Sequence, residues 1–417
     1  MISRIAQQGD GEAALADGTR VFVPLTLPGD EVRVQPGAKR GDGLAGTVLE
    51  WIHRKDRREP VCDVYGACGG CQLQHLLTED YVTWKTGAVT TALSRHGLSV
   101  DLAPMQQVPL NARRRATLAF VMTAAGPMLG FKEAYSDRIV GMDSCPLLAP
   151  PLAALWVPLR EFCGRIFQSP FRADLRVTTT GAGSVDIVIE ADAELDLARR
   201  EAIAAFAEAR DVARVSWQRP GEPPEPVVQR KPVLLNIGKA EIELPMGGFV
   251  QPSTEGETIL QALVSQGVGD ARRVADLYCG IGTFAFVLSS DRRHVLAVDD
   301  NAAQIAALDR AAGRAGLGGY IDTAVRDLRA SPLEPKAFAD MDAVIFDPPR
   351  AGAKAQAEML ADSTVPRIVA VSCNPATLAR DLRILTDGGY RIECLTPVDQ
   401  FPMSYHVEAV AVLSRPG

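Results

Sequence analysis

The sequence predicts an α/β protein whose C-terminal part is a Rossmann-like, doubly wound sheet. From about residue 249, near-continuous apolar segments of strand length alternate with helical segments, the pattern of a parallel sheet covered by helices on both faces. A glycine-rich turn follows the first strand segment, and acidic residues end later ones. We therefore expect a Rossmann-like domain over residues 249–417, preceded by a small β-barrel and a central α+β domain.

Residues 1–55 predict the barrel. Segments such as TRVFVPLTL, DEVRVQP and AGTVLEWI alternate apolar and polar residues between turns that contain glycine and aspartate. Several short strands at close spacing indicate an OB-like barrel. Small barrels serve many purposes, so this pattern alone assigns no function.

Residues 56–248 predict the central domain. A turn rich in cysteine and glycine spans residues 60–72. The segment TEDYVTWKTGAVTTALSRH predicts a helix over 78–96, and packing of this helix on the C-terminal domain is one arrangement that we consider. Strand-like and helical segments then alternate between residues 113 and 240, as in an α+β domain.

Composition indicates a soluble globular protein of 417 residues, with 47% hydrophobic and 23% charged residues. No apolar run is long enough for a membrane helix, and MISRIAQQGDGEA has no apolar signal-peptide core. We expect a cytoplasmic monomer.

The net charge of −7 argues against a nucleic-acid partner, but residues 1–150 hold 16 basic and 16 acidic residues, with basic clusters at 54–58 and 113–115. Local patches of this kind keep RNA binding open.

The glycine turn in DLYCGIGTF predicts a nucleotide-type site. Gly280 and Gly282 allow a tight turn and close approach of a ligand, and Asp299 at the end of the next strand suits a ribose diol. Ala285 occupies a position that some dinucleotide folds accept, so the turn alone leaves NAD open. Asp276, just before the turn, disfavours a pyrophosphate and suits the amino group of a methionine-like ligand. Together with the motifs below, this favours S-adenosylmethionine (SAM).

Two polar motifs, DPPR and SCNP, end consecutive strand segments. They bring Asp347 and Cys373 to the same edge of the sheet. Pro375 suits the first turn of a helix, and a helix N-terminus favours a thiolate. The alternative for Cys373 is a small buried apolar residue, but the neighbouring Asp347 favours a nucleophile.

A thiolate beside SAM indicates methylation of carbon 5 of uracil. Addition of sulfur to carbon 6 activates carbon 5, and a base then removes the carbon 5 proton. We expect Glu408 to be this base, with His406 as the other candidate, since alternation puts both on one strand face. Asp347 is placed to bind the uracil edge or orient Cys373, and Arg350 to hold phosphate or base.

The motifs DLYCGIGTF, DPPRAG, SCNP, VDQFP and HVE resemble the RNA 5-methyluridine methyltransferase family of class I SAM enzymes. The resemblance implies Cys373 as nucleophile and Glu408 as base. It also implies SAM contacts from Gln251, Tyr278, Thr283, Asp299, Asp327 and Asp347, to which the glycine turn adds Asp276, Gly280 and Gly282. We expect Phe249 and Arg350 at the substrate.

This chain departs from the family pattern at two places. Ser253 stands where the family usually has Asn, and Met403-Ser404 stand where His and Thr are common. These departures weaken the case for a role of position 253 and for a second proton carrier. Asp327 is expected to face the adenine or to be a surface strand end.

Four cysteines, Cys62, Cys68, Cys71 and Cys145, resemble the iron–sulfur branch of the family. Their spacing alone suits zinc as well as iron, and it is the resemblance that implies a 4Fe-4S cluster. That branch carries an N-terminal TRAM barrel and modifies 23S ribosomal RNA, whereas the transfer-RNA branch typically lacks both barrel and cluster. Because no step of the reaction needs an electron, we expect the cluster to be structural.

Two alternatives remain from the sequence: a transfer-RNA uridine methyltransferase and a non-catalytic iron–sulfur RNA-binding or assembly factor. The Cys373/Glu408 pair argues against the second. An amino-group methyltransferase would favour Asp-Pro-Pro-Tyr, where this chain has Arg350. RNA contacts are expected from the aromatic and basic residues Phe22, Lys55, Arg57 and Arg113–Arg115.

Overall fold

A computed structural model describes residues 1–181 and 183–415. The first five strands form one sheet in the order β1-β2-β3-β5-β4, with only β3 and β5 parallel. They are β1 (Arg4–Ile5), β2 (Gly11–Ala14), β3 (Arg20–Val23), β4 (Glu31–Arg40) and β5 (Gly43–His53). Within residues 1–181 no ladder joins β1 to β4, so closure into a barrel stays a prediction.

The second sheet has seven strands in the order β13-β12-β11-β10-β7-β8-β9. Only β11 and β12 run parallel. Its core is aromatic, with Trp156, Phe162, Phe167 and Trp217 buried between the sheet and its helices. The elements from residue 78 to this sheet's last strand are α1 (Thr78–Arg95), β6 (Gln106–Gln107), β7 (Arg115–Thr123), β8 (Gly126–Lys132), β9 (Ile139–Gly141), α2 (Pro150–Ala154), α3 (Trp156–Ile166), β10 (Phe171–Thr179), β11 (Val185–Glu190), α4 (Leu197–Ala209), β12 (Arg214–Gln218) and β13 (Glu225–Gln229).

A hairpin of β14 (Leu234–Ile237) and β15 (Ala240–Glu243) leads into the third sheet. The apolar residues of this hairpin, including Leu235, Ile237 and Ile242, are buried in the core of that sheet. Among the helices in the described ranges, none is both long and apolar enough to span a bilayer.

The third sheet has eight strands in the order β18-β17-β16-β19-β20-β22-β21-β6. The strands from β18 to β20 are parallel, but β22 lies antiparallel between β20 and β21. The prediction of a parallel sheet is therefore corrected to a mixed one. The remaining elements are α5 (Thr254–Val268), β16 (Arg273–Leu277), α6 (Ala285–Leu288), β17 (His294–Asp299), α7 (Ala302–Arg314), β18 (Ile321–Val325), β19 (Ala343–Phe346), α8 (Lys354–Ala361), β20 (Arg367–Ser372), α9 (Pro375–Asp387), β21 (Arg391–Asp399) and β22 (Glu408–Ser414).

Helix α1 and strand β6 come from the N-terminal half but belong to the third sheet. Strand β6 pairs in parallel with β21, and Val89 and Leu93 of α1 enter its core. Lys85 forms a fully buried ion pair with Asp399 and donates to the carbonyl oxygens of residues 401 and 406 at 3.0 and 2.9 Å. Burial lowers the pKa of Lys85, and the carboxylate opposes that shift. The ion pair therefore fixes the loop between β21 and β22.

Replacing Lys85 with Met should destabilise the protein strongly, because Asp399 would keep a buried charge without its cation. The expected loss is about 3–5 kcal/mol in free energy of unfolding, measured by urea denaturation. Arg383→Ala, which removes a solvent-exposed pair with Asp387, is the control and should have a far smaller effect. Equal effects of the two substitutions would contradict the assigned role of Lys85.

Candidate active site

The glycine turn between β16 and α6 has the backbone shape that its sequence predicts. Gly280 and Gly282 have φ of +57° and +93°, which glycine adopts without strain. A Cβ on Gly282 would lie 2.9 Å from Phe286, so the turn is also tightly packed. The Gly280 N–H donates to Asp299 Oδ2 at 2.9 Å. The turn and the end of β17 therefore form one rigid edge, which includes Thr283.

Asp276 is completely buried in β16, directly beneath this turn. Its Oδ2 accepts a hydrogen bond from the Ala285 N–H at 2.9 Å, but Oδ1 has no partner among the described residues. Burial raises the Asp276 pKa to about 8, and the charges of Asp347 and Asp299 add to the rise. A buried carboxyl with an unused acceptor atom favours a ligand that brings a donor or a positive charge.

Two further carboxyl groups lie together at the same sheet edge, Glu408 buried and Asp347 half-buried. Asp347 follows β19 and accepts from Gln251 Nε2 at 3.1 Å, and Glu408 begins β22 and accepts from Gln400 Nε2 at 2.8 Å. Burial raises the pKa of Asp347 to about 7. Burial, and then the charge of Asp347, raises the pKa of Glu408 to about 8. The structure thus brings together the predicted base and the predicted orienting carboxylate.

Cys373 lies between β20 and α9, half-buried. The residues after it explain the SCNP motif: Asn374 Oδ1 caps α9 by accepting from the Ala376 N–H at 3.1 Å, and Pro375 is the first helical residue. Asn374 also donates from Nδ2 to the Arg350 carbonyl oxygen at 3.0 Å. The SCNP motif is thereby tied to the DPPR motif.

The surroundings of Cys373 oppose the ionisation that its place at a helix N-terminus was predicted to favour. Burial, then the charges of Glu408 and Asp347, raises the thiol pKa to about 11, despite the opposing charge of Arg350. Formation of the thiolate therefore becomes easier when the surrounding negative charge is reduced.

His406 differs from the prediction that placed it with Glu408 on one strand face. Strand β22 begins only at Glu408, so the alternation rule does not reach residue 406. Instead, His406 Nε2 lies 3.1 Å from Arg350 Nη2. Burial, then the Arg350 charge, lowers the His406 pKa to about 4. The ring is therefore neutral and lies beside the Arg350 guanidinium.

Phe249 and Asp327 lie at the exposed surface. Phe249 is 48% exposed, with the Arg115 guanidinium carbon 4.5 Å from its ring centre. Asp327 caps a turn by accepting from the N–H groups of residues 329 and 330 at 2.9 and 3.2 Å. Its charge contributes to raising the Tyr278 pKa to about 12, after burial and Asp381.

Two of the basic residues predicted to bind RNA instead form ion pairs within the protein. Arg57 pairs with the fully buried Asp30 at 2.8 Å, and Arg114 pairs with the buried Glu257 at 2.6 Å. These guanidinium groups stabilise the fold, so the predicted RNA contacts of Arg57 and Arg114 are wrong.

The four candidate metal ligands Cys62, Cys68, Cys71 and Cys145 line a single pocket. Burial raises the pKa of three of these thiols, that of Cys71 to about 12. Within residues 1–181 and 183–415, no three His, Cys, Asp or Glu side chains are arranged as a metal ion requires. Four thiols are the donor set that a 4Fe-4S cluster takes, and the cluster stays a prediction.

Sequence reasoning missed the role of Gln400. This buried residue donates from Nε2 both to Glu408 and, at 3.0 Å, to Gln251 Oε1. The only signal in the sequence was its place in VDQFP, which does not reveal which side chain it contacts.

Ser253, a departure from the family pattern, caps α5 by accepting from the Gly256 N–H at 3.0 Å.

The fold and site together define a SAM-dependent methyltransferase. A Rossmann-like sheet carries the glycine turn, Asp299 ends the strand beside it, and the carboxyl groups of Asp276, Asp347 and Glu408 lie at the same edge. That concentration of acid suits the positive charge of a sulfonium ligand and disfavours the pyrophosphate of a dinucleotide.

Comparison with known proteins gives the family. The model of the tRNA (uracil-5-)-methyltransferase family matches residues 327–416. An uncharacterized RNA methyltransferase of Brucella suis is 41% identical over 414 residues, 99% of this chain and 97% of the relative. The 23S rRNA (uracil(1939)-C(5))-methyltransferase RlmD of Chromohalobacter salexigens is 32% identical over 99% of this chain and 88% of its own length. The chain belongs to the RNA (uracil-5-)-methyltransferase family, whose members use SAM.

A solved structure shows the same fold. The tRNA (uracil-54, C5)-methyltransferase of Pyrococcus abyssi, in complex with S-adenosyl-L-homocysteine, superposes with a TM-score of 0.74. The match covers 99% of this chain and 98% of that one at 24% identity. This likeness concerns the fold alone.

Binding of SAM should release protons near neutral pH. Asp276, Asp347 and Glu408 have raised pKa values, so they are partly protonated at pH 7, and a sulfonium favours their ionised forms. SAM affinity should rise with pH between about 6 and 9, by up to about tenfold per pH unit for each proton released. Calorimetry in buffers of different ionisation enthalpy measures this release. S-adenosylhomocysteine, which lacks the sulfonium charge, is the control, and equal proton release by both would contradict the prediction.

Proposed function

We propose that this protein methylates carbon 5 of a uridine in 23S ribosomal RNA. The observation that carries the proposal is the meeting of Cys373 with the half-buried Asp347 and the buried Glu408 at neighbouring strand ends. Support for a ribosomal target comes from the RlmD relative, aligned over 99% of this chain, and from the pocket of four cysteines.

Cys373 acts first in the proposed reaction. Its proton passes to the Asp347 carboxylate, which returns it to the sulfur at the end of the reaction, and the sulfur adds to carbon 6 of uracil. This addition moves the π electrons of the 5,6 double bond toward carbon 5 and O4. Carbon 5 thereby becomes nucleophilic. SAM supplies the methyl group as an electrophilic sulfonium.

Glu408 completes the reaction. Its carboxylate removes the proton from carbon 5, the electron pair of that C–H bond restores the 5,6 double bond, and the sulfur of Cys373 leaves carbon 6. Only ionised Glu408 serves as this base. Since burial raises its pKa to about 8, the basic form increases as pH rises through that value.

We further propose that Cys62, Cys68, Cys71 and Cys145 hold a 4Fe-4S cluster with a structural role. The segment after Cys71 contacts the loop between β21 and β22, because the N–H groups of residues 72 and 73 both donate to the Met403 carbonyl oxygen at 2.9 and 3.0 Å. Cys71 and Cys145 pack in the same apolar cluster as Met403. A cluster in this pocket would therefore hold the loop that leads to Glu408.

A transfer-RNA uridine is the second candidate substrate. It is favoured by the family model matching residues 327–416. Mapping 5-methyluridine in both RNA classes from a strain that lacks the gene decides between them. Loss of one modified position in 23S RNA supports the first proposal, and loss in transfer RNA overturns it.

A stable protein–RNA adduct should form with 5-fluorouridine RNA and SAM, because fluorine does not leave carbon 5 as a cation. Cys373→Ala should abolish the adduct entirely, as judged on a denaturing gel. Cys394→Ala, which removes an exposed thiol outside the site, is the matched control and should leave adduct formation unchanged. Absence of an adduct between the native protein and every ribosomal or transfer-RNA fragment would refute the mechanism.

Purified protein should contain about four irons per chain, and Cys71→Ala should lower both iron content and thermal stability. Because the cluster is proposed to be structural, RNA binding should weaken before SAM binding does. Cys163→Ala, which changes a core thiol that does not line the pocket, should leave the iron content unchanged. Full RNA binding and stability in metal-free protein would contradict the structural role.

A further inference from the structure

A buried chain of side-chain amides connects the two carboxyl groups of the site. Gln400 is 2% exposed and its Nε2 donates to Glu408 Oε2 at 2.8 Å and to Gln251 Oε1 at 3.0 Å. Gln251 Nε2 in turn donates to Asp347 Oδ2 at 3.1 Å. The hydrogen bonds therefore run without a break from Glu408 to Asp347.

The direction of donation in this chain is fixed by its ends. Each carboxyl oxygen accepts an amide N–H, and such a bond favours the ionised form of the carboxyl. When Glu408 is ionised, rotating the Gln400 amide by half a turn would place its oxygen against two acceptors, and both bonds would be lost. With Glu408 in this basic form, Gln400 therefore has one stable orientation, in which it holds Oε2 of Glu408. Oε1 then has no hydrogen-bond donor among the described residues.

Helix α5 provides the space for this arrangement. A Cβ at Gly256 would collide with Gln400 Oε1 and would also lie 2.8 Å from Ser253 Oγ. Gly256 therefore accommodates the amide at the start of α5. An alanine at this position would displace Gln400 without altering any group that touches the uracil in the proposed reaction.

We propose that Gln400 is the positioning residue for the base, holding one oxygen of Glu408 so that the other faces the carbon 5 proton. The inference rests on the proposed function. In the step concerned, Glu408 takes the proton, the C–H electron pair forms the 5,6 double bond, and the C–S pair returns to Cys373. Through Gln251 the same amide joins the base to the residues predicted to contact SAM.

The charged surroundings of Glu408 leave Gln400 as its hydrogen-bond donor among the described residues. Asp347, from the end of β19, raises the Glu408 pKa, and the Cys373 thiol faces both carboxyl groups. Two of the nearby cations, Lys85 of α1 and Arg114 beside α5, are already paired with carboxylates. The third, Arg350, acts on the Cys373 thiol and contacts His406. Removing the Gln400 amide should therefore raise the Glu408 pKa further.

The test compares Gln400→Met and Gly256→Ala with the native enzyme, using in vitro transcribed large-subunit ribosomal RNA and SAM between pH 6 and 9.5. Both variants should form 5-methyluridine about ten- to a hundredfold more slowly at pH 7, with the acid limb of the rate profile about one pH unit higher. A covalent protein–RNA adduct should accumulate with ordinary uridine, because addition and methyl transfer precede proton removal.

Gln356→Met is the matched control, since Gln356 is equally buried but bonds only to the Leu333 backbone. It should lower stability without shifting the rate profile or trapping an adduct. A Gln400→Met enzyme whose rate falls equally at every pH, with no adduct, has only a structural defect, and that result overturns the inference.

A substrate-free measurement separates this inference from the proposed function. The infrared band of the protonated Glu408 carboxyl, assigned by its loss in Glu408→Gln, should titrate about one pH unit higher in Gln400→Met. An unchanged titration overturns the inference even in an active enzyme. A native enzyme that forms no 5-methyluridine contradicts the proposed function, while a shifted band still supports the hydrogen bond to Glu408.

Discussion

Three carboxyl groups clustered at one edge of a sheet, none of them in an ion pair within the described residues, are the constraint on which the site depends. Asp276, Asp347 and Glu408 each have a raised pKa because burial penalises their charge. The same charge raises the pKa of the neighbouring Cys373 thiol. A ligand that brings positive charge relieves both effects together, so cofactor binding and thiol activation are two results of one electrostatic condition.

The loop between β21 and β22 is held in place at this edge by segments from the N-terminal half of the chain. Lys85 and Tyr81 of α1 both bond to Asp399, and Met403 is held through its N–H by the Tyr81 hydroxyl at 3.0 Å. The segment after Cys71 holds the carbonyl of the same Met403. Gln400 lies between these anchors, so its orientation depends on segments that are distant in the sequence.

The sequence predicted best what depends on short-range patterns. Parallel strands end at one edge, so DPPR and SCNP had to meet, and Pro375 had to start a helix. What failed or was missed depends on long-range pairing. Charge alone did not reveal that Arg57 and Arg114 were already paired, and alternation did not apply to His406 because the strand begins two residues later. Gln400 shows its role only when β21, β22 and α5 are assembled.

The pairing of Lys85 with Asp399 across 314 residues has a consequence for biosynthesis. A ribosome adding about 5–20 residues per second delivers Asp399 roughly 15 to 60 seconds after Lys85. During that interval the Lys85 ammonium group has no carboxylate partner, and Val89 and Leu93 lack the C-terminal residues against which they pack. The last sheet therefore closes only near the end of translation.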